Sequence, residues 1–165
     1  MTTRYSTRRR GLPIGRLLIA AIIVILSLVT YFGTRQDNPV TGEAQYIDIS
    51  VDQEIALGLQ AAPEMAAQFG GLDQDPAAQE LVDEIGEGIV NGSPAGRSPY
   101  EFEFHLLDDG QTINAFALPG GQIFITRGLL EALKTEGELA AVLGHEVGHV
   151  VGRHSAEQLA KARLT

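Results

Sequence analysis

Eleven residues near the end of the chain, Gly144-His145-Glu146-Val147-Gly148-His149-Val150-Val151-Gly152-Arg153-His154, constrain its folding more than any other stretch. Residues four apart lie on one face of an α-helix, so His145 and His149 aim two imidazoles at a point where one metal ion can sit. Glu146 projects roughly 100° round the helix from His145. Its carboxylate can reach a water polarised by that ion without becoming a ligand, which is the position a general base needs. The flanking residues Leu139, Ala140, Ala141, Val142, Leu143, Val147, Val150 and Val151 leave this helix little polar surface. It must be covered by other elements, and two covered histidines and a glutamate require partners or a metal.

Gly144, Gly148 and Gly152 recur every four residues and make a smooth stripe for close approach of another element. His154 does not fit the spacing HExxHxxGxxH, whose last histidine would fall at Ser155. In a continuous helix His154 also lies about 180° away from His145. It is therefore read as a structural or substrate-side residue, and His105, in an alternating segment, as a sheet residue.

Ser50-x-x-Gln53 forms a capping box for a helix that Gly70-Gly71 stops. A second helix begins with Asp75 as cap and Pro76 in first position, carries an apolar stripe of Leu81, Val82, Ile85 and Ile89, and ends at Asn91-Gly92. From Tyr100 the period changes to two, which predicts a strand over 101–107. Asp109-Gly110 signals a hairpin into a second strand over 112–117, and Leu118-Pro119-Gly120-Gly121 a type II turn into a third over 122–126. The reading is a meander of three strands. A short helix over 128–133 follows, and Thr135-x-x-Glu138 caps the helix that bears the motif.

The charge is unevenly divided. Residues 1–35 hold six of the 12 basic side chains and no acid, leaving a body with all 21 acidic residues. An acidic body argues against a nucleic-acid binder, which needs a basic face on its folded part. The arginines instead adjoin the apolar run Leu17 to Phe32, which as a helix reaches about 24 Å and spans a hydrocarbon core if extended from Leu12 with Arg16 reaching the headgroups. Five of those arginines precede the run and only Arg35 follows it, an imbalance that puts the N-terminal end in the cytoplasm and exports the rest. The alternative is a cleaved signal peptide, for which Val29-Thr30-Tyr31-Phe32-Gly33 lacks the small-residue cleavage pattern. The absence of cysteine excludes disulfides, a thiolate nucleophile and Cys-ligated zinc. The expected organisation is a basic cytoplasmic segment 1–16, a transmembrane signal anchor 17–33, a linker 34–46 and a folded unit 47–165.

The segment Asn114-Ala115-Phe116-Ala117-Leu118-Pro119-Gly120-Gly121-Gln122-Ile123-Phe124-Ile125-Thr126-Arg127-Gly128-Leu129-Leu130, followed by Glu138-Leu139-Ala140 and the His145–His149 motif, closely resembles the membrane-associated gluzincin zinc metallopeptidases. The resemblance covers about 50–164. It implies an α+β, zincin-like domain behind one transmembrane helix, with His145 and His149 as ligands of one zinc ion and Glu146 as general base. It further implies that Asn114, Ala115 and Phe116 form a sheet edge lining the cleft, where a polypeptide substrate adds as a strand. In that family the third zinc ligand is a glutamate on a later helix, which this sequence does not reach, so the chain looks like the N-terminal part of a family member. The function implied is a zinc metalloendopeptidase at the bacterial inner membrane, its domain on the periplasmic side, cutting unfolded or misassembled envelope proteins. The alternative is an inactive, membrane-anchored fragment that binds polypeptides or a partner protein.

Overall fold

Five consecutive buried residues, Gln122–Thr126, form the central strand β5 of the sheet that carries the site. A strand buried on both faces reads as an unbroken apolar run, and Ile123-Phe124-Ile125 is one. In the computed structural model, which describes residues 14–33, 35–38 and 40–162, β5 lies between β3 (Glu103–Leu107) and β4 (Ala115–Ala117). β4 pairs with β5 antiparallel through the expected turn, in which Gly120 takes the positive φ of 84° that the third position of a type II turn requires. β3 pairs with β5 in parallel, with Glu103 opposite Gln122 and Leu107 opposite Thr126. The sheet is therefore mixed, and the expected meander is corrected. Asp109 does not start a hairpin. Its carboxylate accepts bonds from the backbone of Gln111 and Thr112 and from the Thr112 hydroxyl, closing a loop that carries the chain past β5 to its far side. The Thr126 hydroxyl holds that loop by donating to the Thr112 carbonyl at 2.6 Å and accepting from the Asn114 N–H at 3.1 Å. These side-chain bonds replace a ladder, so the second strand is shorter than predicted.

The helices form as their caps dictate. α2 (Val51–Gln68) opens on the complete Ser50–Gln53 capping box, and α3 (Pro76–Asn91) on Asp75, whose carboxylate accepts from Ala77 and Ala78. A 3-10 turn, Pro94–Arg97, leads into β3. α4 (Arg127–Ala132) leaves β5 directly, and α5 (Glu136–Val151) starts at Thr135, whose hydroxyl accepts from the Glu138 N–H. α6 (His154–Ala162) follows after a break. Val82 of α3 and Leu139, Leu143, Val147 and Val150 of α5 pack on Phe104, Leu106, Ile123 and Ile125. The apolar side of α5 is thus covered. The glycine stripe is used unevenly: Gly144 faces Ile89 of α3, whereas Gly148 has open space beside it.

The segment predicted as a linker over 34–46 contains a small hairpin of β1 (Arg35–Asp37) and β2 (Ala44–Tyr46). It is docked on the end of α5: the Asn38 amide donates to the Val151 carbonyl at 2.7 Å and the Gln45 amide to that of Gly152 at 2.5 Å. The last carbonyls of a helix lack intrahelical partners, and here these two side chains supply them. Composition suggested a spacer because the residues are polar, but Asn38 and Gln45 are buried.

Ahead of the hairpin, α1 covers Ile14–Gly33. Among the described residues no helix is long and apolar enough to cross a membrane. The side chains of α1 are described without a break only over 18–29, about 18 Å of helix against a hydrocarbon core of roughly 30 Å. The described residues therefore do not establish the transmembrane span expected over 17–33. Leu17, Thr30 and Tyr31 lie outside the described side chains, and 1–13 of the basic segment outside the described residues.

Candidate metal centre

α5 carries both imidazoles on one face, as the four-residue spacing requires. His145 Nε2 and His149 Nε2 lie 3.0 Å apart, with the rings edge to face at a centroid distance of 4.5 Å. Two nitrogens bound to one tetrahedral zinc at roughly 2.0–2.1 Å would be separated by about 3.4 Å. The pair converges to within a few tenths of an ångström of that spacing, so this donor set fits zinc. His145 is exposed, His149 half-buried and Glu146 buried, so the carboxylate sits at the inner edge of an accessible imidazole pair. Among the described residues no group of three His, Cys, Asp or Glu side chains that could hold a metal ion is present.

His154 departs from its expected place. α5 stops at Val151, Gly152 caps it, and Arg153 adopts a left-handed φ of 55°. The continuous helix that would turn His154 away does not exist. The chain folds back, and His154 Nδ1 lies 2.6 Å from His149 Nδ1. The break rests on a buried ion pair that sequence reasoning missed. The Arg153 guanidinium donates through Nε to Glu54 Oε1 at 2.8 Å, through Nη1 to Gln36 Oε1 at 3.0 Å and through Nη2 to the Ile49 carbonyl at 3.1 Å. The Tyr100 hydroxyl donates to the other carboxylate oxygen at 3.1 Å, and burial followed by the Glu54 charge pushes its phenol above the ordinary range. One signal was available: Glu54 falls among the apolar positions of α2, where a buried charge needs a partner.

The residues expected to line the cleft are placed at an edge but not all toward α5. β4 has one free side. Antiparallel strands direct alternate residues to the partner. Bonds from Thr126 N–H to Asn114 and from Leu118 N–H to Gln122 mark Asn114 and Leu118 as pointing to β5, which leaves the backbone of Ala115 and Ala117 directed outward. Phe116 lies on this same edge strand, with its ring on the opposite face of the sheet. Its ring stacks on Phe124 at 5.0 Å and meets Phe69 of α2 at 5.3 Å, on the face away from the helix that bears the imidazoles. His105 shares that face, stacked on Phe124 at 4.7 Å and bonded to Gln122, and is a sheet residue as expected.

A helix bearing HExxH over the edge of a small sheet defines a zincin-type architecture, and comparison with known proteins agrees. The profile of Peptidase family M48 matches residues 76–165, more than half of the chain. The chain is 35% identical over 137 residues to the mitochondrial metalloendopeptidase OMA1 of Schizosaccharomyces pombe, covering 82% of this chain and 40% of that protein. It is 35% identical over 121 residues to the beta-barrel assembly-enhancing protease of Yersinia pestis, covering 73% of this chain and 24% of that protein. The protein of the same name from Escherichia coli is 26% identical over 142 residues, covering 86% and 28%. The chain belongs to peptidase family M48, a family of metallopeptidases. It spans less than half the length of these relatives.

Proposed function

We propose that this chain carries the zinc-binding helix and substrate edge of a metalloendopeptidase that cuts unfolded or misassembled envelope polypeptides. The observation that carries the reading is the convergence of His145 Nε2 and His149 Nε2 at 3.0 Å beside the buried Glu146. His145 and His149 hold the metal through these nitrogens. When bound there, zinc supplies Lewis acidity, polarising a scissile carbonyl and acidifying a water. The Glu146 carboxylate accepts the proton of the attacking water and passes it to the leaving amine. The outward backbone groups of Ala115 and Ala117 receive the substrate as an added strand and orient it along α5. Extended, unfolded segments are the polypeptides such an edge accepts.

A membrane setting is part of the proposal. The large apolar side chains of α1 from Leu18 to Val29 are all exposed, and a helix apolar on every side calls for a lipid or protein environment. The arginines ahead of it orient that end to the cytoplasm and the body to the periplasmic side. The test is hydrolysis of an unfolded substrate, casein, with and without a chelator. Chelator-sensitive cleavage supports the reading. Cleavage that survives metal removal contradicts it.

A further inference from the structure

His149 has both ring nitrogens committed. Nε2 faces His145, and Nδ1 faces His154 Nδ1 at 2.6 Å, with those two rings 4.8 Å apart and inclined at 74°. A neutral imidazole carries one proton, and the partner of one nitrogen decides where that proton sits. A histidine that offers Nε2 to a metal must keep its proton on Nδ1. We propose that His154 is a positioning residue: its Nδ1 lone pair accepts the His149 Nδ1 proton and fixes His149 in the tautomer that leaves Nε2 free for zinc. The inference rests on the metallopeptidase reading for its purpose, but not for its geometry.

The local structure is built to bring His154 there. The left-handed Arg153 reverses the chain, and Glu54, Gln36 and the Ile49 carbonyl hold its guanidinium in place. An unstrained helix would not spend a non-glycine residue on this conformation, which is uncommon away from asparagine, aspartate and histidine. Gly152 completes the arrangement. A Cβ built on it would lie 2.6 Å from His154 Nε2, so a side chain at this position would push the ring off His149. In the metal-free chain this tautomer of His149 lets its Nε2 accept from His145 Nε2–H, a proton that moves off that nitrogen when His145 takes up zinc.

The chain has four histidines, so ring-labelled ¹⁵N spectra of the full chain in detergent micelles can resolve each tautomer. Spectra are taken at about pH 8, above the ordinary imidazole range. In the metal-free protein His149 should be the Nδ1–H form. His154→Leu should shift it toward the Nε2–H form, and His154→Asn, which keeps an acceptor near the position of Nδ1, should restore it. Gly152→Ala, which leaves all four imidazoles in place, should act in the direction of His154→Leu. In zinc competition against a chelating dye, His154→Leu should weaken binding about 10–100-fold, the usual cost of losing an outer partner of a metal-binding histidine. An unchanged His149 tautomer in His154→Leu would overturn the proposal. So would a loss of zinc binding as complete as in His149→Ala, because His154 would then be a ligand. If the wild-type chain bound no zinc while the tautomer still followed residue 154, the assignment of a zinc site to these two imidazoles would fail and the positioning role would stand.

Discussion

At the scale of single residues, Glu54 and Arg153 do for the fold what His145 and His149 do for the site. Each side chain is about 2% exposed, and each has its hydrogen-bonding groups directed at named partners. Removing one member of such a pair leaves a buried, uncompensated charge, which costs about 3–5 kcal/mol. Glu54→Ala should therefore lower unfolding free energy by that amount in denaturant titration, whereas replacing both residues with apolar side chains of similar volume should cost far less. A loss below about 1 kcal/mol for Glu54→Ala would show that the pair is not buried as described. The sequence exposed the two motif histidines because their spacing is local. It hid the Glu54–Arg153 pair because the partners are 99 residues apart and no periodicity links them.

At the scale of elements, α2 and the β4–β5 turn meet at a glycine. A Cβ on Gly58 would lie 1.9 Å from the Pro119 carbonyl oxygen, so Gly58→Ala must push helix and turn apart. The expected cost is about 1–3 kcal/mol, read as a lower midpoint in thermal unfolding, and an unchanged midpoint would contradict the close approach. A second link ties the start of α4 to the loop before α3. Arg127 Nε donates to Asp73 at 2.7 Å, and this bond holds the Asp73 carboxyl below its ordinary range. A depressed carboxylate stabilises the fold above the ordinary value near 3.8 and loses that contribution as pH falls through its folded value. Wild-type stability should therefore fall on acidification below about pH 4 more steeply than that of Asp73→Asn. Parallel pH profiles would remove the link. Helix starts were legible because Ser50, Asp75 and Thr135 cap through their own side chains. Strand order was not. Asp109-Gly110 reads the same whether the chain turns back or crosses β5, and the deciding cue was the unbroken apolar run of β5 rather than the turn.

At the scale of the whole molecule, an apolar N-terminal helix precedes an acidic body that carries the proposed metal site. If α1 seats in a membrane with its arginines in the cytoplasm, protease added to intact spheroplasts should digest the body from Gln36 onwards. Protection until lysis would reverse the orientation. The central claim, that α5 is a zinc-binding catalytic helix, is tested most directly by zinc titration of four proteins: wild type, His145→Ala, His149→Ala and Glu146→Gln. The wild-type chain and Glu146→Gln should bind zinc alike, weakly for a site within which the described residues supply two imidazoles, and either histidine variant should lose it. Equal zinc binding by wild type and both histidine variants would contradict the account.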